Sequence, residues 1–374
     1  ELPMLRTPLP CPTSGAASPR AAPGAHPGCL PCLGREEKLS LLRDAKCLEC
    51  LIRSNRTFFV GRLGMGAETE GACLASVRLR HRQLPSSSNL GKNFDEKFRQ
   101  LLQMHNGVRT SDAQDAYEYS LCYAAAINAS DMMVRFGTHN KNGAVVPLRS
   151  PSNDCAKHSS FQRGDALIAA SGHNPGASLH YRILDPWLAP AAEASDDDAL
   201  WWIRALQGKT VLLIHPFDQT IRSQIAKGNV ALWQDIAERV IPSSTEFKFV
   251  RPPQNLGHGL QGEHSWKSSW RESYQNLVAA VDAAGHFDVA IMACGGLGML
   301  IGAHLRATGR SSIYVGGSLQ MWFGITGNRW LRDQQGVQKS LGKYLQNHNW
   351  RRPNGTAEKI LYARSHEGAA YWRR

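Results

Sequence analysis

Apolar and polar positions alternate along this chain in two rhythms that exchange at regular intervals. In the second half, Val211 to Ile214 is wholly apolar and runs into His215 and Pro216. Such a run suits a strand covered on both faces rather than one with a wet side. "FKFV" (247 to 250), "FDVAIMAC" (287 to 294) and "SSIYVGG" (311 to 317) read as further strands. Between them lie segments with apolar residues three and four apart. They are "DQTIRSQIAKGNVALWQDIAERV", expected as one helix, then "SSWRESYQNLVAAVDAAGH", then "GMLIGAHLRATGR", which stops at Gly309.

The first half is less regular. "EEKLSLLRDAKCLECLIRS" reads as one helix with Leu39, Leu42, Cys47 and Cys50 near one face, and "TFFVG" (57 to 61) as the strand after it. "GACLASVRLRHRQ" and "NFDEKFRQLLQMH" carry helical spacing. "SDAQDAYEYSLCYAAAINAS" is a strong helix, with Ser111 placed to cap it and Asp112 and Asp115 in its first turn. "MMVRFG" (132 to 137) predicts a second strand, and residues 138 to 165 a polar surface loop. Strand and helix alternating at this spacing predict an α/β fold with a mostly parallel, doubly wound sheet flanked by helices.

Composition adds limits. A chain of 374 residues can hold one large core or two ordinary ones. Residues 1 to 35 are rich in Pro, Ala, Gly and Ser and lack the apolar density to fold alone, so they read as a disordered leader. Their low acid content also fits the remnant of an organelle transit peptide. Residues 36 to 374 are left as the folded domain. The most apolar window, 289 to 303, is too short and glycine-rich to cross about 30 Å of hydrocarbon, so no transmembrane span is expected. The net charge is +12, yet Lys and Arg are scattered apart from short knots such as "RLRHR" (78 to 82). A basic surface or an attraction to small anions is expected, and no nucleic-acid partner.

Nine cysteines form no secreted-type framework, which favours an intracellular or organellar compartment. Four of them, Cys29 with Cys32 and Cys47 with Cys50, make two CxxC pairs near four-thiolate zinc spacing. The second pair falls inside a predicted helix, where Cys also packs as a small hydrophobe. Both readings stand at this level.

In an open α/β sheet, ligands sit beyond the carboxyl ends of the strands. Three strand ends here carry suitable residues. "CGGLG" (294 to 298) lacks the dinucleotide and Walker A patterns, and Gly295, Gly296 and Gly298 suit either a close approach to a diphosphate or a tight turn packed against the sheet. "IHPFDQTIRSQ" (214 to 224) places His215 to bind a phosphate, to move a proton or simply to pack, with Asp218 read as the cap of the next helix. "VGRLGMGAETEG" (60 to 71) carries Arg62 and Gly64, then Glu68 and Glu70. An arginine fork suits phosphate, and the carboxylates suit either a divalent cation or an acidic first helical turn. No GxSxG, HExxH or Cys/His pairing is present.

Taken together, "LQGKTVLLIHPFDQTIRSQ", "FDVAIMACGGLGMLIGAHLRATGRSSIYVGGSLQMWFGITGNRW" and "NHNWRRPNGTAEKILYARSHEGAAYW", with "FFVGRLG" and "YRILDPW", resemble the GT-D fold glycosyltransferase-like family over roughly residues 40 to 373. The resemblance implies a Rossmann-like domain that moves a sugar from a nucleotide-sugar to an acceptor glycan or protein. Characterised relatives carry an Asp-x-Glu element, linked to metal and donor, just after the arginine-containing strand. This chain departs from it, reading "LGMGAETEG" with no Asp. The expectations are therefore Arg62, Gly64, Gly295, Gly296 and Gly298 for the donor and Glu68 and His215 for the chemistry. Glu68 with Glu70 is expected to hold Mn²⁺ or Mg²⁺. The alternative is a catalytically inactive nucleotide- or glycan-binding domain of the same fold.

Overall fold

The computed structural model describes residues 41–54, 56–64, 66–80, 87–135, 167, 178–185, 202–253, 268–331, 341, 344–353 and 358. The proposed leader, Cys29, Cys32 and the expected loop at 138 to 165 lie outside these residues. Seven strands form one sheet: β1 (Phe59–Arg62), β2 (Met132–Arg135), β3 (Ser178–His180), β4 (Thr210–Ile214), β5 (Glu246–Val250), β6 (Val289–Met292) and β7 (Ser312–Tyr314). Their order is β3-β2-β1-β7-β6-β4-β5, and every pairing is parallel. The doubly wound α/β expectation is met.

Parallel strands need helical crossovers, and these cover both faces. On one face lie α2 (Ala67–Arg80), α3 (Ser87–Asn93), α4 (Glu96–Asn106), α5 (Ala113–Ala129), α9 (Trp270–Ala283) and α10 (Gly298–Ala307). They pack on Phe59, Leu212, Ile214, Ala290 and Met292. On the other face lie α1 (Leu41–Arg53), α6 (Asp218–Ile225), α7 (Asn229–Trp233), α8 (Ala237–Val240) and α11 (Leu319–Trp322), against Val60, Val211, Leu213, Val289, Ile291 and Ile313. The last helix is α12 (Asn328–Leu331). Trp202, Trp233, Trp322 and Trp350 belong to the second core, and each indole N–H donates to a backbone carbonyl. That bond is what lets a buried indole sit in an apolar layer. No helix among the described residues is long and apolar enough to cross a membrane.

Several local expectations are corrected. The single helix predicted from 218 onward is three, because Gly228 (φ +86°) ends one turn and Gln234 (φ +49°) another. Asp112, not Ser111, caps α5: its carboxylate accepts the Asp115 N–H at 2.8 Å, while Ser111 donates its own N–H to Asp115. Asp218 is the first helical residue rather than the cap, and its side chain pairs with Arg251 at 2.5 Å. Strand β3 and helix α3 carried no sequence signal strong enough to be expected.

Helix α10 crosses β1 at Gly302, where a methyl group would overlap the Phe59 ring; both residues are buried. Overpacking of this kind costs about 1–3 kcal/mol. Gly302→Ala is therefore expected to lower unfolding stability by that amount in a urea titration. Gly91→Ala, at an exposed position in α3 with open space around it, should be neutral or stabilising by up to about 1 kcal/mol. Equal effects at the two glycines would contradict the packing described.

Candidate functional site

Beyond the carboxyl ends of the central strands, the chain leaves alternately to opposite faces. After β1 and β6 it enters α2 and α10; after β7 and β4 it enters α11 and α6, on the other core. This alternation opens crevices along the rim, the usual place for a ligand in an open sheet.

The first crevice is built around the β1–α2 turn. Arg62 ends β1 half-buried. Its guanidinium lies directly over the Cα of Gly316, a residue with φ +76° just after β7, where any side chain would collide with it. The Arg62 Cζ is 6.0 Å from the Tyr314 ring centroid. Glu68, the second residue of α2, is 4% exposed. Its carboxylate folds back onto Gly64 and Gly66: a side chain at Gly64 would overlap Oε1, and a Cβ at Gly66 would stand 2.9 Å from Oε2. The two glycines thus leave the room that the carboxylate and its surroundings use.

Tyrosines from α5 and β7 wall this recess. Tyr123 accepts the Gly64 N–H at 3.2 Å, Tyr119 donates to the Gly296 carbonyl at 2.8 Å, and Tyr314 donates to the Gly295 carbonyl at 2.7 Å. Burial, and then the charge of nearby Glu68 among other neighbours, holds the phenols of Tyr119 and Tyr123 well above the ordinary tyrosine range. They remain protonated at every physiological pH. Asn106, the last residue of α4, completes the floor. Its carbonyl would stand 2.7 Å from a Cβ on Gly295, and its carboxamide lies beside Gly66.

The glycines of "CGGLG" are closed upon by protein. A Cβ on Gly296 would stand 2.5 Å from Val108 Cγ2, and one on Gly298 2.5 Å from the Tyr314 ring. Close packing therefore accounts for all three glycines of that turn, whatever else the turn contacts. Cys294 beside them is buried, and burial pushes its thiol up to about 12, so it is not a thiolate nucleophile.

His215 stands apart, just after β4, with β7 and β6 between that strand and β1. Three strand spacings amount to about 14 Å, so His215 and Arg62 do not converge directly. Its Nδ1 accepts the Phe217 N–H at 2.9 Å, its ring packs 5.1 Å from that of Phe217, and it is 1% exposed. Burial lowers its pKa to about 3. The imidazole is neutral with its proton on Nε2, a hydrogen-bond donor rather than a base.

Alongside it, α6 has no side-chain cap from Phe217. Glu358 supplies one instead, accepting the Thr220 N–H at 3.0 Å and the Thr220 hydroxyl, with Arg251 at 4.0 Å. The anion position at the start of this helix is taken by the chain's own carboxylate.

Glu70 follows Glu68 by two residues on α2, and positions i and i+2 of one helix do not share a face. The two carboxylates therefore do not converge as a Glu-x-Glu clamp. Cys47 and Cys50 are disulfide-bonded and so are not free thiolates for zinc, while the other two expected ligands, Cys29 and Cys32, lie outside the described residues. Among the described residues no group of three or more His, Cys, Asp or Glu side chains is arranged for a metal ion. Sequence reasoning missed Asn106 and the three tyrosines. The four-residue spacing of Tyr119 and Tyr123 on a strong helix was the one available signal. No protein-family model, curated protein or solved structure matches the chain.

The neutral state of His215 gives a pH dependence. In the unfolded chain a histidine takes up its proton near 6.5, in this fold only near 3. Between these values the unfolded state binds more protons, so stability is lost as pH falls from about 6.5 toward 3, by up to about 1.4 kcal/mol per pH unit. Urea midpoints at pH 7, 5.5 and 4 should fall more steeply for the parent than for His215→Asn, which keeps an acceptor for Phe217 and does not titrate. Parallel profiles would show that the imidazole is not buried neutral.

Proposed function

We propose that this protein transfers a sugar from a nucleotide-sugar donor to an acceptor hydroxyl, with the recess between Arg62 and Glu68 as its reaction site. The observation that carries the reading is the pairing at one strand end of a guanidinium suited to phosphate with a carboxylate sunk among protonated tyrosines. The resemblance of the chain to glycosyltransferases of the GT-D fold points the same way.

In this reading Arg62 holds the donor diphosphate in bidentate fashion and stabilises the charge that develops on it. The bond from the sugar's anomeric carbon to the diphosphate oxygen breaks, and the diphosphate leaves with the electron pair. The acceptor oxygen bonds to that carbon and surrenders its proton to Glu68. His215, neutral and farther along the rim, acts as a hydrogen-bond donor. Glu68 is the residue that would hold a divalent cation, since Mg²⁺ can be bound through one carboxylate together with substrate oxygens. Such an ion supplies charge neutralisation on the leaving group.

A second reading, ligand binding without turnover, is favoured by one specific feature. Glu68 is nearly covered, and Glu70 does not join it. Titration with UDP-glucose, UDP-N-acetylglucosamine and GDP-mannose, with and without Mn²⁺, alongside assays for released nucleoside diphosphate, separates the two. For the transferase, Arg62→Ala should weaken donor binding by about 10- to 100-fold, the 1.5–3 kcal/mol of charge-assisted hydrogen bonds. Glu68→Gln should retain binding and lose turnover. Binding by the parent with no turnover across acceptors selects the second reading, and no binding of any nucleotide-sugar defeats both.

A further inference from the structure

The segments that lead into β1 and β2 share a feature with which the reaction recess is not involved. Parallel strands all begin on one edge of the sheet and end on the other. Arg62 and the β1–α2 turn lie on the edge where strands end. On the opposite edge, Asp131 joins the two strand starts. Its N–H donates to the Phe59 carbonyl at 2.9 Å, and its carboxylate accepts the Phe59 N–H at 2.8 Å and pairs with Arg306 at 2.7 Å. Just before Asp131 the chain reads Asn128-Ala129-Ser130, and just before β1 it reads Asn55-Arg56-Thr57. Both fit Asn-x-Ser/Thr, the acceptor pattern for N-linked glycosylation. A third match, Asn354-Gly355-Thr356, is present in the sequence; Asn354 to Thr356 and Asn55 lie outside the described residues.

The surroundings of Asn128 suit that modification. It is exposed, in the last turn of α5. Ser130 ends the helix with extended backbone (φ −74°, ψ 144°), and its N–H and hydroxyl both donate to the Ile127 carbonyl. A bulky polar substituent on Asn128 therefore meets solvent, on the edge away from the recess, and leaves the recess open. Arg56, inside the other match, is exposed on the same edge, and the Thr57 hydroxyl donates to the Gly309 carbonyl at 3.0 Å.

The cysteines bear independently on where the chain folds. Cys47, Cys50, Cys73 and Cys122 are disulfide-bonded, and Cys47, Cys73 and Cys122 are buried. The scattered spacing of the nine cysteines in sequence gave no sign of this. Disulfides form and persist in oxidising compartments such as the lumen of the endoplasmic reticulum, and are rare where glutathione keeps thiols reduced. That lumen is also where oligosaccharides are added to asparagine. The helix that carries Cys122 is the one that carries Asn128.

We infer that Asn128 is a glycosylation site: the chain folds in an oxidising lumen and receives an oligosaccharide there from a lipid-linked diphosphate donor. Asn128 Nδ2 bonds to the anomeric carbon of the first sugar and gives up a proton to a base of the transferring enzyme. The bond from that carbon to the diphosphate oxygen breaks, and the lipid diphosphate leaves with the electron pair. Transfer takes place on the unfolded chain, so the burial of Ser130 in the folded state is no obstacle. The inference is independent of the nucleotide-sugar reading.

The test uses the full chain isolated from the cells that make it. Denatured protein is alkylated without reduction, digested, and treated with a peptide:N-glycosidase in heavy-oxygen water. The peptide that spans Asn128 should appear only after that treatment, with the amide converted to a carboxylate bearing the heavy oxygen. Cys47, Cys50, Cys73 and Cys122 should escape alkylation, while the free Cys294 is labelled. Expressed in the same cells, Asn128→Gln and Ser130→Ala should each lose the mass of a glycan, and Ser130→Thr should keep it. An unmodified Asn128 peptide overturns the inference, and so does alkylation of the four cysteines. A glycan mass that Asn128→Gln leaves unchanged places the sugar elsewhere and overturns it too.

Discussion

A parallel strand can be buried on both faces only if its side chains are apolar on both faces and its peptide groups find partners within the ladder. That constraint governs this protein. Val211 to Ile214 and Val289 to Met292 sit in the middle of the sheet and are wholly buried. Nothing polar in those strands can reach a ligand. Polar chemistry is therefore displaced to the strand ends and the residues just beyond them, which is where Arg62, His215, Cys294 and Gly316 stand. The alternating exits to α2, α11, α10 and α6 then decide which of these rim residues face a crevice and which are packed over.

The same burial sorts the rim residues by charge. Desolvation penalises the charged form of any group that lacks a partner. It leaves His215 neutral, keeps the Cys294 thiol protonated and holds Tyr119 and Tyr123 as phenols. Three of the residue types most often enlisted as bases or nucleophiles are thereby silenced at this rim. What remains around the β1–α2 turn is a guanidinium that cannot give up its proton and a carboxylate set against glycines. Chemistry in the recess has to be argued from these two groups and from hydrogen bonds, and the functional proposal is confined to them for that reason.

How far the fold could be read ahead depended on whether a residue's role was local. Apolar runs bounded by turn residues marked β4 and β6 because burial on both faces leaves an unmistakable pattern. The spacing in α5, α9 and α10 was similarly plain. The reading failed where tertiary neighbours decided. Gly228 and Gln234 break a region with continuous helical spacing, because the chain must turn to return under the sheet toward β5. The Asp112 cap and the role of Asp218 hinged on which carboxylate Ser111 and Arg251 could reach. In the site, Arg62, Gly64 and Glu68 were visible because they share one turn. Asn106 was not, since it arrives from another helix and its meaning lies in an unmet hydrogen bond, which has no sequence pattern.

The rim also explains why the opening candidates do not rank equally. By position alone, the turn after β4 and the start of α6 form the more conventional anion site, with helix N–H groups, a histidine and Arg251 close together. There the fold has already answered its own electrostatics: Glu358 accepts from Thr220, Arg251 pairs with Asp218, and His215 accepts from Phe217. A helix start satisfied by an internal carboxylate has little left to offer a phosphate unless that carboxylate withdraws. At the β1–α2 turn the situation is reversed. Gly64 and Gly66 make room for the Glu68 carboxylate, and beside it the buried Oδ1 of Asn106 accepts no hydrogen bond among the described residues. Folding free energy has been left unspent in one crevice and consumed in the other, and the former is where a ligand gains most by arriving.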